Sequence, residues 1–279
     1  MTDFDRRSVA LLALLGPLSV GGNARAQNAA PSSASPVAGH DASAATALWA
    51  RPDEVAMLVY PEMTALDLIG PQYMFAVLAG AKVHLVAKTR EPVTTDTGVI
   101  ITPTATFAAT PKDLTVLFAP GGSQGRSRGI YDVMQDEETR GFMADRGSRA
   151  KYVTSVCTGA LILGAAGLLK GYKATSHWAA RDALADFGAI PIDARVLRDR
   201  NRITGAGVTA GLDFGLTMVA ELRDATYAQS VQLLCEYDPH PPFNAGSTHT
   251  APANVQAIMQ GMLSPFQARI HAVAKTIPA

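Results

Sequence analysis

The sequence has no excess of charge of either sign. Its 279 residues include 24 lysines and arginines and 24 aspartates and glutamates, and 48% of them are hydrophobic. No basic stripe runs along the chain, so the composition argues against a nucleic-acid-binding protein. It is instead typical of a globular protein with enough apolar residues for one sizeable core.

Motifs for metals and dinucleotides are also missing. The chain has only 6 histidines, and none of them stands in an H-E-x-x-H or similar ligand pattern. No zinc-finger spacing and no glycine-rich dinucleotide fingerprint occurs. We therefore expect no metal site.

Long hydrophobic runs are lacking near the N-terminus, where a membrane anchor is often found. The apolar run at residues 9–20 is interrupted by Gly16 and Pro17 and is too short to span a bilayer stably. Two arginines precede the run, and an A-x-A cleavage pattern at residues 24–26 follows it. This order is typical of an export signal, and the arginine pair favours the twin-arginine type over a plain secretory signal or a disordered tail.

These features divide the chain into four parts. Residues 1–26 are predicted to be the export signal, and residues 27–48, rich in Ala, Ser and Pro, a flexible linker. The folded domain is predicted at 49–252, followed by a helical tail at 253–279. We accordingly expect an exported, periplasmic protein without stable membrane insertion. Cell fractionation tests this, because an unprocessed chain in the cytoplasm would refute it.

Cysteine is scarce, with two residues in the chain. Cys235 lies in a helix-like stretch that favours a small buried thiol, although an oxidising compartment would permit a disulfide. Cys157 lies between a β-branched strand and a helix of small residues. Unpaired backbone N–H groups and the helix dipole stabilise a thiolate there, so we expect a lowered pKa and a nucleophile. Ser155 replaces the first glycine of the nucleophile-elbow signature, so the junction is an analogue of that elbow.

Strand-like runs alternate with helical patterns along the domain, which predicts a mostly parallel sheet covered on both faces. The predicted strands are 54–60, 82–87, 93–107 with a turn at 96–98, 114–118, the run that ends at Cys157, and a two-stranded ribbon at 195–204. The predicted helices are 66–79, 132–149, 159–169, 178–187, 210–222, 229–236 and the tail. Pro61, Gly121 and Cys157 each follow a strand end, so one pocket at the carboxyl edge of the sheet could collect all three.

Several sequence blocks resemble the ThiJ/PfpI superfamily and, within it, the isonitrile hydratases. The resemblance extends from about residue 54 to residue 252. The blocks that carry it are Leu66-Asp67-Leu68-Ile69-Gly70-Pro71, Ala119-Pro120-Gly121-Gly122, Ser155-Val156-Cys157-Thr158-Gly159, Ala174-Thr175-Ser176-His177-Trp178, 205–213 and 236–246.

The resemblance implies a flavodoxin-like, three-layer α/β sandwich of the class I glutamine amidotransferase-like kind. It also implies a homodimer that acts on a small molecule and needs no cofactor. By position, Cys157 matches the family nucleophile, Asp67 the acidic residue beside it, and Thr158 a residue whose hydroxyl and N–H contact the reacting centre. Gly121 and Gly122 match the substrate-binding turn, and the amides of Gly122 and Thr158 match the positions that hold developing negative charge.

Several of these residues could instead have a purely structural role. Asp67 could cap a helix, and Thr158 could satisfy a local amide. His177 is interpreted as a pocket-wall or structural residue, because protease-like relatives carry histidine directly after the cysteine, where this chain has threonine. Arg126 and Arg128 are interpreted as part of a solvated loop; if either faces the pocket, an anionic substrate becomes plausible.

The predicted activity is conversion of an isonitrile to an N-substituted formamide through a thioimidate on the cysteine. One alternative is a glyoxalase or deglycase that acts on small reactive carbonyls with the same thiol. Another is a sensory domain like that of AraC-type regulators. The last is disfavoured, because too few residues follow position 252 for a paired helix-turn-helix module and an export signal suits a regulator badly.

Overall fold

The computed structural model describes residues 49–123 and 129–277. The chain first forms β1 (Glu54–Leu58), α1 (Ala65–Ala76), β2 (Lys82–Ala87), β3 (Val93–Thr94), β4 (Ile100–Ile101), β5 (Ala105–Thr106) and β6 (Val116–Ala119). It continues with α2 (Ile130–Gln135), α3 (Glu137–Arg149), β7 (Tyr152–Ser155), α4 (Gly159–Ala165) and β8 (Lys173–Ala174). The last elements are a 3-10 helix (Asp182–Phe187), β9 (Ile190–Pro191), β10 (Val196–Asp199), β11 (Arg202–Gly205), α5 (Ala210–Leu222), α6 (Ala225–Leu234) and α7 (Ala253–Ala274).

Seven strands form the main sheet in the order β10-β11-β7-β6-β1-β2-β5. All neighbours are parallel except β10, which pairs antiparallel with β11 as the predicted ribbon. Helices α1, α5 and α6 pack together, and α2, α3 and α4 form a second group. The chain leaves β1 and β6 towards opposite edges, so right-handed crossovers put these groups on opposite faces. The predicted flavodoxin-like sandwich is confirmed.

The site is positioned by the point where the strand order reverses. Strand β1 lies between β2 and β6, and β6 lies between β1 and β7. At such a reversal the loops after adjacent strands separate and leave a crevice at the carboxyl edge of the sheet. Ala119 pairs with Ser155, so the turn after β6 lies beside Cys157.

A cluster of three aromatic rings anchors α1 above this edge. Phe75 of α1, Phe118 of β6 and Phe214 of α5 are fully buried, with centroids 5.6–6.3 Å apart. Each such aromatic pair stabilises the fold by about 0.5–1.5 kcal/mol beyond the effect of burying its apolar surface. A Cβ on Gly215 of α5 would lie 2.4 Å from the Cγ of Met74, so the two helices meet at a glycine. This packing holds α1, and with it Asp67, against the sheet.

Some elements differ from the sequence predictions. The strand predicted at 93–107 is three short strands. The turn predicted within it is confirmed, because Gly98 has φ 85° and β3 pairs back onto β4. The helix predicted at 132–149 is divided at Asp136, whose carboxylate accepts a hydrogen bond from the Thr139 amide at 2.8 Å and begins α3. The segment predicted as a helix at 178–187 is a 3-10 helix from Asp182, which ends at the predicted Gly188 with φ 71°.

The C-terminal helix α7 is attached to the body through its second half. Phe266, Ile270 and Val273 are buried, and the Tyr131 hydroxyl of α2 donates to the Phe266 carbonyl at 3.2 Å. Across 49–123 and 129–277, no helix combines the length and apolarity that crossing a bilayer requires. The predicted export signal and linker, together with Arg126 and Arg128, lie outside the described residues and stay predictions.

Candidate active site

Cys157 lies in a left-handed backbone conformation two residues after β7. Its φ is 55°, a value that is uncommon for a residue with a side chain. The Cys157 amide donates to the carbonyls of Ala206 at 2.7 Å and Gly205 at 3.1 Å. Its carbonyl accepts from the Ser176 hydroxyl at 2.7 Å and the His177 amide at 3.3 Å. These four bonds hold the strained turn, which matches the elbow analogue expected from the sequence.

Asp67 does not cap a helix. The first turn of α1 is capped by Asp96, whose carboxylate accepts from the Ala65 amide at 3.0 Å. The Asp67 side chain is 0% exposed, and neither of its oxygens has a hydrogen bond of standard geometry. A buried carboxyl without such a partner is rare, because it loses hydration without compensation. The capping alternative therefore fails, and the carboxyl is free for another role.

Gly121 lies at the point where the predicted residues meet. A Cβ on this glycine would lie 2.6 Å from Oδ2 of Asp67, 2.6 Å from the Thr158 amide nitrogen and 2.8 Å from the Cβ of Cys157. The backbone of the turn after β6 thus fills the space between α1 and the elbow, and only glycine fits there. The structure brings Asp67, Gly121, Cys157 and Thr158 into one buried cluster.

Thr158 and Gly122 bond to each other. The Gly122 amide donates to the Thr158 hydroxyl oxygen at 2.8 Å, and that hydroxyl donates to the Gly122 carbonyl at 2.6 Å. The expectation that the Gly122 amide holds developing negative charge is therefore wrong for this conformation, because its proton is already donated. The Thr158 side chain makes no cap bond with its own helix. This leaves the Thr158 amide, beside the sulfur, as the donor.

Burial dominates the electrostatics of the pair. It raises the pKa of Asp67 from 3.8 to about 7, while the Cys157 thiol and the Gly121 amide oppose the shift and Asp96 adds to it. Burial, followed by the charge of Asp67, raises the pKa of Cys157 well above its usual value, against an opposing effect of Thr158. The pair titrates as a unit and holds at least one proton at neutral pH.

The lowered cysteine pKa expected from the sequence is therefore wrong. Cys157 is only 5% exposed, and its nearest ionisable neighbour is an acid. The following helix α4 has only 7 residues. The effect of its dipole on the pKa of the thiol is smaller than the effect of lost hydration. A thiolate has to be generated by proton transfer to Asp67 rather than being present at rest.

His177 is held as a neutral ring away from a catalytic role. Its Nδ1 accepts from the Ala179 amide at 3.2 Å, which places the ring proton on Nε2. Burial lowers its pKa. The residue bonds to Cys157 through its backbone amide, which agrees with the structural interpretation.

Sequence reasoning missed Tyr60. This buried residue follows β1, and its hydroxyl donates to the Pro120 carbonyl at 3.1 Å. Tyr60 also lines a cavity of about 510 Å³ between the ends of β1 and β2 and the start of α3, where Lys88 pairs with Asp136. A polar-tipped aromatic directly before the strand-end Pro61 was the available signal.

Comparison with known proteins places this site in a family. The family model for the DJ-1/PfpI family matches residues 53–221. The chain is 48% identical over 202 residues to the isonitrile hydratase of Pseudomonas putida, covering 72% of this chain and 86% of that protein. It is 28% identical over 152 residues to a deglycase of Pyrococcus horikoshii, covering 54% of this chain and 88% of the deglycase.

A solved structure shares the fold. The crystal structure of a ThiJ/PfpI family protein from Pseudomonas syringae aligns with a TM-score of 0.79 and 64% sequence identity, covering 81% of this chain and 92% of that one. The region matched by the family model contains β1, the turn after β6, the elbow and most of α5. The chain belongs to the DJ-1/PfpI family.

Proposed function

We propose that the protein is a hydratase that adds water to an isonitrile and releases an N-substituted formamide. The observation that carries this proposal is the Asp67 carboxyl, fully buried without a standard hydrogen bond beside the Cys157 thiol. A nucleophile and a proton carrier are what addition to an unsaturated carbon requires. The 48% identity to an isonitrile hydratase supports this substrate class.

In the first step the sulfur of Cys157 attacks the terminal isonitrile carbon. The thiol proton passes to the Asp67 carboxylate and from there to the same carbon. One S–H bond breaks, and one C–S and one C–H bond form, so the product is a thioimidate. Because the thiol is protonated at rest, its deprotonation by Asp67 has to accompany the attack.

In the second step water adds to the carbon of the thioimidate. Asp67, again ionised, takes a proton from the water as the C–O bond forms and delivers it to the nitrogen, which leaves the carboxyl ionised once more. The tetrahedral adduct then collapses as the C–S bond breaks, and the hydroxyl proton returns through Asp67 to the sulfur. The sum is isonitrile plus water giving formamide, with no change of oxidation state and no cofactor.

Two further groups assist in this scheme. The Thr158 amide beside the sulfur stabilises negative charge on it. Gly121 permits the close approach of Asp67 to the elbow and offers its own amide to the carboxylate.

The test is turnover of cyclohexyl isonitrile by the purified protein, with the formamide followed by NMR. We expect Cys157→Ala to abolish turnover. Cys235→Ala is the matched control, because that thiol lies at the end of α6 and donates to the Gln232 carbonyl, and it should retain full activity. Turnover of methylglyoxal without turnover of the isonitrile would instead favour the deglycase alternative.

We also propose a homodimer, as the family resemblance implies. Leu66 and Ile69 of α1 are 45% and 43% exposed, and Tyr73 continues the same face of the helix. Apolar residues at this spacing form a stripe that a partner covers in many assemblies. Because Asp67 lies within this stretch of α1, an interface here would adjoin the site.

A further inference from the structure

We propose that Tyr60 is a positioning residue for the reaction: its hydroxyl holds the turn 120–122 in the place where that turn supports Asp67 and Thr158. This inference rests on the proposed function for its kinetic readout, but its structural basis is independent of the substrate. Tyr60 touches none of the reacting atoms in the scheme above. It acts through the backbone that it binds.

The bond from Tyr60 to the turn is buried. The hydroxyl donates to the Pro120 carbonyl at 3.1 Å, and both residues are buried. A Cβ on Gly122 would lie 2.9 Å from the same hydroxyl oxygen, so the turn packs directly on the phenol. A hydrogen bond in such surroundings is stronger than one in water, and its loss leaves a buried acceptor without this donor.

The two residues that follow Pro120, Gly121 and Gly122, contact the site directly. Gly121 packs against the Asp67 carboxyl, because a Cβ on it would lie 2.6 Å from Oδ2 of Asp67, and its amide lowers the pKa of that carboxyl. The Gly122 amide and carbonyl both bond to the Thr158 hydroxyl. The Gly121 carbonyl also accepts from the Thr64 amide at 3.0 Å. A shift of Pro120 therefore displaces contacts to both Asp67 and Thr158.

The ionisable groups around Asp67 come from three separate segments. Cys157 follows β7, Asp96 belongs to the turn between β3 and β4, and Tyr60 follows β1. Burial and the nearby acids raise the pKa of Tyr60 well above its usual value, so it stays a neutral donor at working pH. Without its hydroxyl the Gly121 amide is less firmly held, and Asp67 should retain its proton to higher pH.

The decisive experiment compares Tyr60→Phe with Tyr131→Phe. The Tyr131 hydroxyl is also buried and donates to a backbone carbonyl, that of Phe266, but between α2 and α7. For Tyr60→Phe we expect kcat with cyclohexyl isonitrile to fall about tenfold, equivalent to one hydrogen bond. KM should stay within about twofold, because uniform substrate binding is unchanged. The acid limb of the pH profile should move to higher pH. Tyr131→Phe should change none of these.

A second readout needs no substrate. The rate of Cys157 alkylation by iodoacetamide, measured by mass spectrometry of its peptide across pH, reports ionisation of the pair. We expect its acid midpoint to move upward in Tyr60→Phe only. That shift without any isonitrile turnover by the wild type would support the positioning role while refuting the proposed reaction. Wild-type kcat and an unshifted alkylation profile in folded Tyr60→Phe would overturn the inference.

Discussion

Burial decides the acid–base behaviour of Cys157 and Asp67. Both groups lose hydration in the same cluster, which raises both pKa values, and the charge of Asp67 further disfavours a thiolate at Cys157. The pair is poised to move one proton between sulfur and carboxylate rather than to hold a permanent thiolate. A buried thiol is also shielded from the oxidation to which exposed thiolates are prone.

Asp67→Asn should remove most of the proposed hydratase activity and change its pH dependence. In the wild type we expect kcat/KM to rise with pH through about 7 as Asp67 ionises. It should fall only well above pH 9, where the thiol loses its proton. Steady-state rates across pH check this. A wild-type acid limb retained in Asp67→Asn would contradict the assignment of Asp67.

The same substitution should change the pH dependence of stability. The folded-state pKa of Asp67 is raised from 3.8 to about 7, so the unfolded chain releases this proton first as pH rises. The contribution of Asp67 to the free energy of unfolding is full below about pH 4. It is lost as pH rises through about 7, a change of up to about 4 kcal/mol. Urea unfolding between pH 4 and pH 8 should show a smaller loss in Asp67→Asn than in the wild type.

At the scale of elements, the site depends on how closely β6 approaches the start of α4. A Cβ on Gly159 would lie 2.1 Å from the Ala119 carbonyl oxygen, a distance that no packing tolerates. Gly159→Ala should therefore separate the strand end from the elbow, destabilise the protein by at least about 2 kcal/mol and abolish activity. Urea unfolding and turnover measure the two effects.

The matched control is Gly141→Ala in α3. A Cβ there meets nothing within 4 Å, and alanine favours a helix interior by up to about 1 kcal/mol over glycine. We expect this variant to be as stable as the wild type or more so. Equal effects of the two substitutions would show that the close approach at Gly159 is not a constraint.

At the scale of the whole molecule, the apolar stripe on α1 predicts the assembly. Leu66→Glu combined with Ile69→Glu should convert the proposed dimer to a monomer, because charges at a buried interface are costly to desolvate. Light scattering after size exclusion measures the mass. Ile100→Glu on β4, at a position that is also exposed, is the control and should stay dimeric. A monomeric wild type would refute the proposal.

Sequence reasoning reached further for the fold than for the chemistry. The order of strands and helices, the ribbon β10–β11 and the bounds of β2 and α5 followed from local apolar patterns. The turn at Gly98 was also predicted. The division at Asp136 was harder to place, because a single side-chain bond interrupts a pattern that propensity would continue. Tyr60 was missed, because its partner, the Pro120 carbonyl, belongs to a distant segment.

The sequence by itself determined the parallel α/β architecture, the strand–cysteine–helix junction and the meeting of Gly121 and Cys157 at the carboxyl edge of the sheet. These follow from local patterns and from the rule that parallel strands end on one side. Only the tertiary structure decided the protonation of Cys157 and Asp67, and the engagement of the Gly122 amide by Thr158. Those properties depend on burial and on neighbours from other segments, which no local pattern contains.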